Sequence, residues 1–125
     1  MSTLKPDTTH HLLQLADITA DWLHKAGMSA EADAVRALPP ITDVAGLTAA
    51  VTVVQPMILS ACRRAGVITW HEAQAGIDAA RDAQGSWQAA VRPYRHGDPL
   101  RAQVDSVAHR LHTIACYAAH AAVTA

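Results

Sequence analysis

Residues 44–62, VAGLTAAVTVVQPMILSAC, decide the fold. These 19 residues carry no charge, and on a helical wheel their apolar side chains point in every direction instead of along one stripe. A helix that is apolar all round is either wrapped by other helices or lies in a membrane. Gly46, Thr48, Thr52, Gln55, Pro56 and Ser60 dilute the run well below the hydrophobicity of a spanning helix. The reading is therefore a buried central core helix and no membrane segment. Pro56 removes one backbone hydrogen bond and clashes with the preceding turn, which predicts a kink. The β-branched run Val51, Thr52, Val53, Val54 also suits a strand, but the chain offers no partner strand. Arg63, Arg64 and Gly66 supply the charge and the terminator expected at a helix C-terminus.

N-terminal to this segment, a first helix is predicted from residue 7 or 8 to residue 26, with Gly27 as its left-handed terminator. Leu12, Leu15, Ile18, Thr19, Trp22, Leu23 and Ala26 share one arc of it, and Gln14, Asp17, Asp21, His24 and Lys25 share the other, as in an amphipathic surface helix. Ser29 is a candidate cap for a short second helix over residues 30–38, ended by Pro39 and Pro40. The two should form a hairpin.

C-terminal to the central segment, Thr69-Trp70-His71-Glu72 reads as a capping box opening a fourth helix. Trp70, Ala73, Ile77, Ala80, Gln84, Trp87 and Val91 then recur at intervals of three and four, the spacing of a bundle seam. Residues 93–97 form a turn, and Asp98-Pro99 is a favoured pair for starting a fifth helix that extends to about residue 123. Leu100, Val104, Val107, Leu111, Ile114 and Ala118 repeat the seam spacing. The expected architecture is all-α: a single domain over residues 1–125, built as a four- to five-helix bundle around a buried, proline-kinked central helix.

Composition agrees. Alanine, the strongest helix former, fills 27 of 125 positions, and only five residues are aromatic, none of them Phe. Net charge is −1 and no dense basic stripe exists, which argues against nucleic acid as a partner. Eight Arg against two Lys, with no Asn, suggests a GC-rich, actinobacterial genome. Two distant cysteines outside any disulfide or CxxC pattern, and an N-terminus without signal-peptide features, point to the cytoplasm.

Several clusters bear on function. Asp105, His109, His112, Cys116 and His120 fall on one face of the fifth helix, and imidazole and thiolate ligands suit zinc or another late transition metal. His109, His112, Cys116 and His120 are thus the candidate metal ligands, although one helix seldom completes a tetrahedral shell and this face lies opposite the apolar seam. His10 and His11 would join them only if the fold brings them near. Asp17 and Asp21 are one turn apart, but Lys25 follows at four residues, so an ordinary surface ion pair accounts for them. Gln55 is the polar residue that most needs a partner. Buried, it would either meet a carbonyl freed by Pro56 or face a ligand pocket. Arg92, Arg95, His96 and Arg101 surround the turn between helices four and five, a basic patch suited to an acidic partner or a phosphate, although Asp98 already occupies the adjoining helix end. Gln55, Arg92 and Arg95 are the candidate ligand-binding residues. No phosphate loop, nucleophile elbow, zinc finger or nucleotide fingerprint is present, so no catalytic residue and no cofactor is expected.

The apolar helix with Gln55-Pro56, the segment Ala73-Gln74-Ala75-Gly76-Ile77-Asp78-Ala79-Ala80-Arg81, and residues 100–117 around Val107-Ala108-His109-Arg110-Leu111 together resemble a family of small uncharacterised actinobacterial helical proteins, sometimes labelled natural-product biosynthesis proteins. The resemblance covers about two-thirds of the chain, residues 38–117, and implies no particular activity or catalytic residue. The expected function is a non-enzymatic interaction protein, an accessory or regulatory factor in a bacterial pathway, with a homo-oligomer or another protein as partner. The alternative is a small-molecule binder or biosynthetic enzyme with its pocket near Gln55.

Overall fold

The computed structural model describes residues 3–25, 27–64 and 70–124, and among these the side chains of all but 61, 62, 64, 72, 73 and 115–124. Five helices follow in order: α1 (Pro6–Lys25), α2 (Ser29–Arg36), α3 (Val44–Arg64), α4 (Trp70–Val91) and α5 (Pro99–Thr124). The described residues form no strand; the nearest approach is one isolated antiparallel bridge between Thr3 and Asp43. The all-α bundle is as the sequence predicts.

Local chemistry sets the helix ends. Gly27 adopts φ 81°, the left-handed conformation that lets the chain leave α1. Asp98 Oδ1 accepts the Leu100 amide at 2.9 Å, so the predicted cap of α5 is made. Asp43 Oδ1 does the same for the Gly46 amide at 2.8 Å and starts α3. Ser29, the predicted cap of α2, is instead its first helical residue; Met28 takes the cap position with no side-chain hydrogen bond. The capping box proposed for Thr69 and Glu72 lies outside the described residues.

The core is a three-helix unit in which α1, α4 and α5 pack against one another. From α1 it takes Leu12, Leu15, Ala20, Trp22 and Leu23, and from α5 Val104, Val107, Ala108, Leu111 and Ile114, all essentially inaccessible to solvent. The α5 seam matches the predicted one over its described length. That of α4 matches only in part: Val91 is buried and Ile77, Ala80 and Trp87 are half-buried as the spacing predicts, but Trp70 and Gln84 are exposed, and Gly76, Ala83 and Ala90, outside the predicted seam, are buried as well. The cause is that α4 packs between two helices, so small residues take the line of closest approach and Trp87 stands half-buried at its flank.

The central position assigned to residues 44–62 needs correction. Among the described residues, α3 packs against the helices α5 and α2 alone, and the helix that touches α1, α3 and α4 is α5. One face of α3 is buried through Leu47, Ala50, Val54 and Met57, but Ala45, Thr48, Ala49, Thr52, Gln55, Pro56 and Leu59 are exposed. Absence of charge is compatible with an outward face when that face consists of small and weakly polar side chains, which cost little to hydrate. Pro56 sits inside the helix, and the Thr52 carbonyl that loses its amide partner belongs to a residue exposed on this open side. No helix among the described residues is long and apolar enough to cross a membrane.

The N-terminal segment ties the bundle ends together. The Leu4 amide donates to the Thr42 carbonyl at 2.8 Å. The Lys5 amide donates to the Tyr94 hydroxyl at 3.0 Å, its ammonium to the Pro93 carbonyl at 2.7 Å, and the same ammonium lies 5.2 Å from the Tyr94 ring centre. Thr8, fully buried, donates to the Ala90 carbonyl at 2.9 Å.

Candidate functional site

Gln55 is exposed, and its amide oxygen accepts a 2.6 Å hydrogen bond from Arg110 Nε. Arg110 in turn donates to the Ser106 carbonyl at 3.0 Å and to the Ser106 hydroxyl. This corrects both readings of Gln55: the side chain neither caps a carbonyl freed by Pro56 nor looks into an interior pocket. It clips α3 to α5. The clip is far from the basic turn, because Arg110 and Arg101 are nine residues apart on α5, about 13 Å of helix rise. Gln55, Arg92 and Arg95 therefore do not form one site.

At the basic turn, Tyr94 is buried beneath Lys5, and Arg101 Nη1 donates to the Tyr94 carbonyl at 2.5 Å. Arg95 and His96 are exposed. Arg92 and Arg101 share an open groove with Trp87 and Asp105.

The polar face of α5 is not simply solvated as its position opposite the seam suggests. Trp87 reaches across from α4, donating from Nε1 to Asp105 Oδ1 at 2.7 Å, and its ring centre lies 5.2 Å from those of both His109 and His112. Half-burial holds the His112 pKa below its ordinary value; the neighbouring His109 adds to this, and a hydrogen bond with the Ala80 backbone opposes it. Among the described residues no group of three or more His, Cys, Asp or Glu side chains is placed to hold a metal ion. The side chains of Cys116 and His120, the other two candidate ligands, lie outside the described residues. His11 stays within α1, its Nδ1 3.0 Å from Gln14 Oε1, and His10 packs edge-on against it.

Asp21 and Lys25 form the expected exposed ion pair at 3.0 Å. Asp78 and Asp82 of α4, also one turn apart, line the same groove as Asp17 and Asp21. That second acidic pair was hidden in the sequence by its distance of about sixty residues, and only the α1–α4 packing brings the two together.

The remaining unusual surface is the outward face of α3. Leu59 is 62% exposed, and every described outward position from Ala45 to Leu59 is uncharged. By contrast, exposed positions of α1 and α4 include Asp17, Asp21, Lys25, Asp78, Arg81 and Asp82. Comparison of the chain with protein-family models, with curated proteins and with solved structures finds no match.

Proposed function

We propose that this chain is a non-enzymatic helical interaction protein that self-associates through the outward face of α3. The observation that carries the reading is the charge-free exposed row of Ala45, Thr48, Ala49, Thr52, Pro56 and Leu59 on a helix packed on one side only. Small residues in such a row let a second helix approach closely, and no ionised group has to lose its water when two copies meet. Of the seams of α4 and α5, which from sequence serve a dimer as well as a core, the described part of α5 from Val104 to Ile114 is used inside the chain, whereas Trp70 and Gln84 of α4 stay exposed. Self-association on this reading falls to α3, whose outward row is free of charge among the described residues, and a two-fold pairing of that face would be self-complementary. A module of this kind suits an accessory or regulatory factor in a bacterial pathway, in keeping with the sequence resemblance to natural-product biosynthesis proteins.

Light scattering coupled to size exclusion tests this. A concentration-dependent dimer is expected for the natural chain, and a monomer of unchanged helicity for Ala49→Glu combined with Leu59→Glu. A natural chain that stays monomeric at millimolar concentration ends the proposal.

A further inference from the structure

Between the later turns of α4 and the first turns of α5 lies an open groove of 510 Å³. Its base is Trp87 and Val91, half-buried and buried. Gln84, Gln88 and Arg92 recur every fourth residue along one side, and Arg101 and Asp105, also four apart, stand on the other. The volume falls within the range of about 300–1,000 Å³ typical of small-molecule sites.

The charges in this groove are arranged in an unusual way. Arg101 and Asp105 have the spacing that ordinarily gives an ion pair along a helix. Neither uses the other: Arg101 is turned to the Tyr94 carbonyl, and Asp105 is held by the Trp87 indole. Arg92 has no side-chain hydrogen bond or ion pair among the described residues. Two guanidinium groups, one of them fixed in place by a backbone carbonyl, thus face a groove whose lone carboxylate already accepts one hydrogen bond.

We propose that this groove binds a small carboxylic acid with a flat apolar body. The acid group meets Arg92 and Arg101, whose planar forks match a carboxylate. The flat body lies on Trp87 and Val91, where an indole supplies area and stacking. Anchoring of Arg101 by Tyr94 and of Trp87 by Asp105 lowers the entropy lost when the ligand binds. A cationic ligand of the same shape has only Asp105 to meet and two like charges to avoid. The site stands apart from the outward face of α3, so it holds whether or not the chain self-associates.

The test is a titration of the full-length ¹⁵N-labelled protein with phenylacetate, followed at the Trp87 indole N–H resonance, which Trp87→Phe assigns. A saturable shift is expected, weaker on the order of tenfold with phenethylamine or with acetate. Arg92→Gln, at an exposed and unpartnered side chain, should weaken phenylacetate binding by a similar factor without moving the thermal midpoint. Arg95→Gln, in the same turn but outside the groove, should leave binding unchanged. No saturable shift, an equal response to the amine, or equal losses in the two arginine variants would each overturn the proposal.

Discussion

Thr8 shows how much one buried hydroxyl can carry. Its Oγ1 donates to the Ala90 carbonyl in the last turn of α4, where the amide four residues on is turned to Val91 instead. Thr8→Val keeps the shape and leaves that carbonyl unpaired in a dry site, so a loss of about 1–3 kcal/mol is expected. Thr48, exposed and bonded only to the Val44 carbonyl of its own helix, is the control, and Thr48→Val should change stability by less than about 0.5 kcal/mol. Urea unfolding followed by circular dichroism measures both. His112 gives a second residue-level prediction. Its folded-state pKa is lowered, chiefly by burial, so below about pH 6.5 the unfolded chain takes up a proton that the native chain resists. Its contribution to stability is therefore intact above that pH and declines as pH falls towards the lowered folded-state value. Melting curves between pH 7.5 and 5 should show this decline, with a shallower slope in His112→Gln; equal slopes would remove His112 as the source. Neither interaction was legible beforehand. Thr8 lay within the zone assigned to the start of α1, and its partner is 82 residues away. In the sequence His112 reads as part of a metal-like stripe, because the contact that Trp87 makes with it comes only from the packing of α4 on α5.

Helices, by contrast, were largely written in local chemistry. Gly27, the Pro39-Pro40 pair, Asp98-Pro99 and the α5 seam all act within a few residues, and all predict their elements to within a few positions. What local chemistry did not decide was which side of α3 is covered. Alanine and threonine serve a core and a surface equally well, so a row such as Ala45, Ala49 and Thr52 shows the absence of charge and nothing about depth. The outward rows recur at three and four residues, as the inward ones do, so spacing alone does not say which is which. The exposure of Pro56 has a measurable consequence. A proline in a helix interior is about 3 kcal/mol less favourable than alanine, and here neither Pro56 nor the Thr52 row beneath it is packed. Pro56→Ala should therefore raise stability, by about 1–3 kcal/mol after allowance for the freer unfolded chain. A lowered thermal midpoint would instead mean that the proline ring covers something in solution, as it would in an α3-mediated dimer; repeating the melt with the monomeric double variant separates the two.

The whole molecule has an uneven distribution of support. α1, α4 and α5 each pack against the other two, so removing any one opens the core of the remaining pair. α3 rests on α5 and α2, and beyond its buried row it is held by the Gln55–Arg110 clip and by the loop that Leu4 pins at Thr42. Elements with fewer buried contacts open at lower free energy than the global transition. α3 should accordingly exchange its amide hydrogens as a unit, ahead of α1, α4 and the described core of α5. Val54, fully buried at the α3–α5 contact, provides the lever: Val54→Ala creates a cavity costing about 1–3 kcal/mol. If α3 is a separate cooperative unit, that cost should appear mainly as faster exchange in α3, with the slowest amides around Leu15 and Leu111 following only the change in global stability. Self-association through the outward face would slow the same α3 amides as concentration rises, because binding stabilises the closed form by mass action. Exchange in α3 that matches α5 at all concentrations, in the natural chain and in Val54→Ala alike, would show one indivisible folding unit and leave α3 no independence to regulate.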